Sequence, residues 1–356
     1  VTNTAQQFIR RPLPALTGVR FFAAAAVLLF HYGAGFSDRI HAPSPIRHVL
    51  HNGYLGVSLF FVLSGFIIAY SHFTESMSAP VVGRFLWARI ARIYPVYLLA
   101  LILALPVLEK PLTPGDALSV LTMTQAWTVP SSGHGFAWVM QAWTLSIEAA
   151  FYLLFPLFWP LVRRLGRNGT IALAIAAAAL IIAFGTPSIS PGVHVVPFLG
   201  TDTQIPMPLF RMAEFAYGMA LCQMFVRWPP TLSPRTAGIA ELGLVAAMLI
   251  TLASAEAMQT KAIFTVLAGI FILISAQGVG AVTCILSTRA LLLLGGASYA
   301  IYILQQPLHS LCSLLVRSPF DQVISPIVTI VGAILAFQWI EQPARRFLIN
   351  LVRKSG

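Results

Sequence analysis

The sequence predicts an all-α, polytopic integral membrane protein of about ten transmembrane helices. Three observations carry this. Of 356 residues, 58% are hydrophobic and only 9% are charged, against about 25% charged in an average soluble domain. The mean hydropathy is +0.82. The apolar residues come in long runs, such as 171–184 and 263–274. A soluble domain of this size needs a polar exterior that these residues cannot supply. The runs also argue against a β-barrel, whose spans alternate polar and apolar residues. Disorder, collagen-like repeats and a disulfide scaffold are excluded by the same composition.

A span needs about 20 apolar residues. Ten stretches meet that need in turn: roughly 16–35, 54–72, 90–108, 142–162, 170–186, 207–226, 237–255, 260–280, 291–316 and 323–343. The first has Arg10 and Arg11 before it, as a signal peptide would. It also contains Arg20 and His31, and nine spans follow, so it is expected to be retained. Segment 115–128 is too short and too polar to cross, and suits an interfacial or re-entrant position. The stretches between spans leave no room for a second soluble domain, so a single membrane domain over 1–356 is expected.

The net charge is +11 and the pI about 10.1. In a soluble chain that balance would suggest nucleic acid. Here it follows topology, and no nucleic-acid partner is expected. With the N-terminus inside, the inner segments hold Arg10, Arg11, Arg84, Arg89 and Arg92. They also hold the basic residues of 163–167, 227–235, 289 and 345–354. The outer loops hold only Arg39, Arg47, Lys110, Lys261 and Arg317. The positive-inside rule therefore puts both termini in the cytoplasm. Cys222, Cys284 and Cys312 lie in apolar runs with no CxxC spacing, so neither a disulfide framework nor a reactive thiol is expected.

Ionisable groups within spans cost at least about 2.5–3.5 kcal/mol each, so those present are informative. Arg20 and His31 are eleven residues apart. At about 100° per residue they share a helix face, about 16.5 Å apart along the axis. Arg20 then lies near the inner edge and His31 in the outer half. Glu148, Arg211, Glu214 and Gln305 are expected at a similar depth on three other spans. Arg211 and Glu214, at i,i+3, can pair on one face. That pair is equally well a structural ion pair, His31 a satisfied core histidine, and Gln305 a helix–helix hydrogen bond. Arg20, Arg84, Arg89, Arg92 and Arg345, with Glu341, form an inner basic cluster. Anchoring and snorkelling explain much of it, but Arg89 and Arg92 share a face and with Arg20 suit a phosphate group. Trp127, Trp138, Trp143 and Tyr152 suit an interfacial belt, or for one or two of them a sugar-stacking surface. His41, His48, His51, His72, His134 and His194 lack metal-ligand spacing, and no metal is expected. There is no Walker loop and no G-x-S-x-G elbow.

At these residues the sequence resembles the acyltransferase-3 family of membrane acyltransferases, over nearly its whole length. Leu16-Thr-Gly-Val-Arg20 through His31 looks like that family's opening. Gly53-Tyr-Leu-Gly-Val-Ser-Leu-Phe-Phe-Val-Leu-Ser-Gly-Phe66 is similar to its second span. Arg89-Ile-Ala-Arg92-Ile-Tyr-Pro95 resembles its basic motif. Trp143-Thr-Leu-Ser-Ile-Glu148, with Phe151, Tyr152 and Pro156, resembles its Trp/Ser/Glu motif. Ser298-Tyr299 with Tyr302 and Pro307, then Glu341-Gln-Pro343-Ala-Arg345, resemble its closing motifs. Two departures stand out. The family often has Asp where Thr17 stands and His where Gln305 stands. No serine-esterase-type domain like the one appended in some relatives is expected, so transfer is expected to finish within the membrane domain.

The resemblance implies O-acyl transfer, usually of acetyl, from cytoplasmic acyl-CoA to a sugar hydroxyl. The expected partners are acyl-CoA, a carbohydrate acceptor and membrane lipid, in a bacterial-type inner membrane. Arg20, Arg89 and Arg92 would hold the donor, which is acetyl-CoA by family habit. Trp143, Tyr152, Arg211, Glu214, Tyr302 and Gln305 would line the acceptor site. His31, Glu148 and Arg20 would carry the chemistry. His31 acts either as general base, oriented by Glu148, or as a transient acyl carrier. An imidazole with the usual pKa of about 6.5 suits the first role. Arg20 or Arg211 would stabilise charge developing at the thioester oxygen. The rival reading is a proton-coupled transporter or flippase of a glycan, with His31, Glu148 and Glu214 as a relay. The lack of visible inverted repeats speaks against it.

Overall fold

The structure, a computed structural model, describes residues 11–108, 113–127, 138–185, 193–196, 203–254, 258–316 and 320–354. Arg10, Lys110, His134 and Arg317, singled out above, lie outside the described residues, as does the His194 side chain.

The chain is almost entirely helical. In order it forms α1 (Pro14–Arg39), α2 (Ser44–His51), a 3-10 turn (Gly53–Leu55), α3 (Gly56–Ser71), α4 (Ala79–Ala104) and α5 (Pro114–Leu121). Another 3-10 turn (Met140–Ala142) opens α6 (Trp143–Arg164), and α7 (Arg167–Phe184) follows. Then come α8 (Met207–Phe210), α9 (Met212–Arg227), α10 (Pro234–Ser254), α11 (Met258–Ser275) and α12 (Ala281–Leu286). The last are α13 (Arg289–Gly296), α14 (Ser298–Leu315), α15 (Phe320–Ala336) and α16 (Gln342–Lys354), with a π-helical turn at Phe337–Glu341 between the final two. One short antiparallel ladder, absent from the sequence expectation, pairs β1 (Val193–Val196) with β2 (Thr203–Pro206).

Helices stand at all ten expected places, and this is a multi-pass membrane protein. Among the described residues, seven helical stretches are long and apolar enough to cross by themselves. The ninth expected span is broken into α13 and α14 and adds an eighth if the two are taken together. The sixth is shortened because Arg211 interrupts the helix between α8 and α9. The third begins at Ala79 rather than 90, so Arg84, Arg89 and Arg92 lie on the helix itself. Pro95, Pro307 and Pro326 sit inside helices, which membrane packing tolerates because neighbouring groups satisfy the freed carbonyls.

Two compact units are present. The first holds residues 1–75, 157–188 and 211–296, and the second 76–156, 189–210 and 297–356. The first unit is built on close backbone approach at small residues, the usual glue where lipid removes the hydrophobic incentive to pack. On α3, a Cβ at Gly65 would overlap the Phe215 carbonyl of α9. Reciprocally, one at Gly218 of α9 would overlap the Val62 carbonyl of α3. Gly53 and Gly56 lie in the same way on the Ala26 and Ala23 carbonyls of α1. Short α2 is pinned to α10, where the Asn52 amide donates to the Leu252 carbonyl at 2.8 Å and His48 Nδ1 lies 2.8 Å from the Ala253 carbonyl. Glu241 of α10 is fully buried. It accepts from the Val282 and Thr283 backbone amides of α12, at 2.9 and 3.1 Å, and from the Thr283 hydroxyl.

The second unit ties its elements together through side chains that reach backbone carbonyls. Tyr97 of α4 donates to Val120 at 2.7 Å and Tyr299 of α14 to Ile93 at 3.0 Å. Trp87 of α4 donates to Leu348 of α16 at 2.8 Å. Segment 115–128 forms no span. Its helix α5 is capped by Thr113, whose hydroxyl accepts from the Asp116 amide at 3.2 Å.

Candidate active site

In the second unit, α6 carries Glu148 and Tyr152 one turn apart. The Tyr152 hydroxyl donates to Glu148 Oε2 at 2.7 Å. From α4, the Arg89 guanidinium lies 5.9 Å from the centre of the Tyr152 ring and 5.5 Å from that of Phe85. Phe85 in turn meets Phe155 at 5.4 Å and Tyr152 edge-on at 6.2 Å. A cation over aromatic faces gains most where water is excluded. Arg89 also feels the charges of Arg92, Arg345 and Glu148, and Arg345 those of Arg92 and Glu341. Three guanidinium groups and two carboxylates thus share one region, with the π-helical turn delivering Glu341 to it. Such turns recur at functional sites. An excess of cations there suits a phosphorylated ligand.

The same unit holds Trp143, Tyr302 and Gln305, all buried. Trp143 is the first residue of α6. The Tyr302 hydroxyl reaches the Gln141 carbonyl at 3.5 Å, the limit of a hydrogen bond. Tyr152, expected to touch the acceptor, directs its hydroxyl to Glu148 and a ring face to Arg89.

In the first unit, Arg20 and His31 stand on the single continuous helix α1, so their shared face survives from the sequence. Both are half-buried. The His31 ring packs edge-on against Phe30, with centres 5.0 Å apart, and Phe30 against Tyr54 at 5.6 Å. Arg211 occupies the N-cap position of α9 and pairs with Glu214 at 2.7 Å, both side chains being 4% exposed. Arg211 also donates to the Ser58 hydroxyl at 3.1 Å and lies over Phe61 at 5.9 Å. The i,i+3 pairing expected from the sequence is therefore formed, inside a unit core and with Ser58 of α3 as a further partner.

The sequence-selected residues thus fall into two groups. Arg20, His31, Arg211 and Glu214 belong to the first unit. Arg89, Arg92, Trp143, Glu148, Tyr152, Tyr302 and Gln305 belong to the second. Among the described residues, no group of three His, Cys, Asp or Glu is placed to hold a metal ion.

Several polar residues escaped the sequence reading. Glu241 sat unnoticed in the seventh expected span, Ser58 in the second, Gln125 in the non-spanning segment 115–128 and Gln141 just ahead of the fourth span. A signal for the last two existed: Gln-Ala-Trp-Thr occurs twice, at 125–128 and 141–144. The structure joins the two copies, since Gln125 Nε2 donates to the Ala142 carbonyl at 2.7 Å.

The model of the acyltransferase domain matches residues 13–340. The chain belongs to the acyltransferase-3 family. That match contains every candidate residue from Arg20 to Gln305. Among curated relatives of the family, the acyltransferase MdmB of Streptomyces mycarofaciens is 33% identical over 59% of this chain and 56% of its own length. The O-acetyltransferase OatA of Staphylococcus aureus is 25% identical over 97% of this chain and 58% of its own. The peptidoglycan O-acetyltransferase OatA of Listeria monocytogenes is 23% identical over 96% and 57%. The chain spans rather more than half the length of these acyltransferase-3 relatives. No solved structure matches the chain.

Proposed function

We propose that this chain is a membrane O-acyltransferase that moves an acetyl group from acetyl-CoA to a hydroxyl of a cell-surface or lipid-linked carbohydrate. One observation carries the reading furthest: a carboxylate, Glu148, is held in a fixed orientation by Tyr152 inside a span, within the acyltransferase domain. The relatives' names, O-acetyltransferase and peptidoglycan O-acetyltransferase, support acetyl as the group and a glycan as the acceptor. The chain resides in a bacterial inner membrane with both termini cytoplasmic, which agrees with the distribution of its basic residues.

The donor's phosphates lie against Arg89 and Arg92. The acceptor touches Trp143, Tyr302 and Gln305. Arg211 and Glu214 shape the interior of their own unit. In one route, His31 takes the proton of the acceptor hydroxyl and the oxygen attacks the thioester carbonyl. The C–S bond then breaks, and the departing thiolate receives the proton. In the other, the His31 nitrogen attacks first, the thiolate leaves and takes up the imidazole proton, and the acyl-imidazole passes its acyl group to the hydroxyl oxygen, whose proton returns to the imidazole. Either route ends with an ester and free CoA, and neither needs an oxidant or a metal. Glu148 serves as the carboxylate of this reaction, positioned by Tyr152.

The test is incubation of the purified chain with radiolabelled acetyl-CoA and glycan acceptors. Labelled glycan and free CoA should appear, and His31→Ala should lower the rate by at least about a hundredfold, the scale of lost acid–base catalysis. Absence of CoA release with every acceptor, together with proton or glycan flux in vesicles, would replace this reading with transport. Recovery of an acetylated His31 peptide would select the second route.

A further inference from the structure

Just ahead of the second Gln-Ala-Trp-Thr copy, Trp138 takes a backbone φ of +78°. That left-handed region suits glycine, and a bulky side chain there is strained. Met123, just ahead of the first copy, has a φ of +56°. Among the described residues, no other non-glycine residue of the second unit has a positive φ. Such strain persists only where the surroundings over-determine the conformation, and it gathers at functional sites.

The surroundings of Trp138 do this. The Met140 amide donates to Gln306 Oε1 at 2.6 Å, and the Tyr302 hydroxyl reaches the Gln141 carbonyl. The segment that carries Trp138 is therefore tied to α14 at the residues that flank Gln305, beside the side chains assigned above to the acceptor. The indole is held as well. Pro106 has no N–H for the Ile102 carbonyl. The Leu105 amide turns to Ile102 instead, and α4 ends in a 3-10 turn (Leu105–Val107). This leaves the Leu101 carbonyl for Trp138 Nε1, which donates to it at 2.8 Å. A tryptophan of an interfacial belt keeps its N–H toward water and headgroups. Trp138 gives its N–H to α4, yet its ring is only half-buried. What the ring still offers to a ligand is a rigid apolar face.

We propose that Trp138 is a stacking surface for a pyranose ring of the carbohydrate acceptor. This rests on the acyltransferase reading for the identity of the ligand. A β-linked pyranose with equatorial substituents presents its axial C–H bonds as an apolar face, and that face matches an indole. The backbone conformation and the Leu101 bond set the ring in advance, so binding has little side-chain freedom left to remove. The sugar hydroxyls, at the rim of the stacked ring, stay available to Trp143, Tyr302 and Gln305.

The experiment is fluorine NMR of the whole chain, labelled with fluorotryptophan, in lipid nanodiscs without donor. The Trp138 resonance is the one missing from Trp138→Phe. Chitotetraose should shift it saturably, while the resonance of Trp339, 71% exposed on the π-helical turn, stays in place. Sorbitol, which has hydroxyls but no ring face, should shift neither. Calorimetric titration with chitotetraose then compares variants. Trp138→Leu should weaken binding at least about tenfold, the scale of a lost aromatic anchor. Trp138→Phe keeps an aromatic face and should lose less than about threefold. Trp339→Leu should bind like the parent. If Trp138→Leu does not fold, the Trp138 resonance of the parent chain decides the matter. An unmoved Trp138 resonance, an equal shift with sorbitol, or no binding by the parent chain each overturns the proposal. So does full affinity in Trp138→Leu, or a loss in Trp138→Phe as large as in Trp138→Leu. A parent chain whose Trp138 responds to chitotetraose but which transfers no acetyl from acetyl-CoA overturns the acyltransferase reading and leaves the stacking surface standing.

Discussion

Tyr152 donates its hydroxyl to Glu148 from one turn further along α6, while Arg89 of α4 lies over its ring. The carboxylate is thus held by a residue that is itself held from another helix. A hydrogen bond to a charged group contributes about 1.5–3 kcal/mol. Tyr152→Phe keeps the ring and the cation–π contact but frees the carboxylate. Its kcat should fall by about ten- to a hundredfold with both KM values within about twofold of the parent. Steady-state kinetics in acetyl-CoA and in the glycan would show this. A rise in glycan KM at constant kcat would return Tyr152 to acceptor binding.

Arg89 and Arg92 share a face of α4 and a field with Arg345. Replacing both with Ala should raise the donor KM by at least about tenfold, the scale of one lost charge-assisted contact. The glycan KM should stay constant. Arg89→Lys should recover little, because an ammonium does not spread over Phe85 and Tyr152 as a guanidinium does. A donor KM that does not move would make both residues topology anchors.

Arg211 and Glu214 are paired at 2.7 Å in a core with almost no solvent access. Breaking a buried pair by removing one partner costs about 3–5 kcal/mol, whereas replacing both with apolar groups is often neutral. Glu214→Leu should therefore lower the thermal midpoint in detergent markedly, and Arg211→Met with Glu214→Leu should restore much of it. If the double variant is folded yet inactive, the pair serves the reaction; if it is active, the pair serves only stability.

The reciprocal contact of Gly65 with Phe215 and Gly218 with Val62 leaves no room for a side chain. Gly65→Val and Gly218→Val each require α3 and α9 to separate. Overpacking of this kind costs about 1–3 kcal/mol or more. Both variants should give low yields of monodisperse protein, while Gly83→Ala, where nothing lies within 4 Å, should behave like the parent. Size-exclusion profiles of the three purified variants make the comparison.

The spans were legible because long apolar runs have few other uses. Their ends were less so. Arg84, Arg89 and Arg92 resemble charges that stop a span, yet α4 runs through all three and turns Arg89 inward onto aromatic rings. The break before α9 was hidden for a related reason: Arg211 and Glu214 satisfy the helix spacing whether or not the backbone is interrupted at Arg211. Glu148 stood out as a charge in a run of apolar residues. Gln125 and Gln141 did not, since an uncharged amide hardly disturbs a hydropathy pattern, and their pairing depends on a turn that only the folded chain makes. Ser58 did not stand out because a serine within a helix readily bonds the carbonyl one turn back in its own helix. The β1–β2 ladder lies between two spans, where no apolar periodicity marked it.

Glu241 adds a constraint of timing. Its nearest donor on α12 comes 41 residues later in the chain, so α10 is made while that donor does not yet exist. At roughly 5–20 residues per second, synthesis leaves this carboxyl without its final partner for about 2–8 s. A helix carrying an unanswered carboxylate enters lipid reluctantly. The order of synthesis therefore favours keeping α10 at the insertion machinery until α11 and α12 emerge, and releasing the three together. A Glu241→Gln chain would be free to leave earlier, and its insertion intermediates, caught by crosslinking stalled nascent chains, should show α10 in lipid before α12 has been translated.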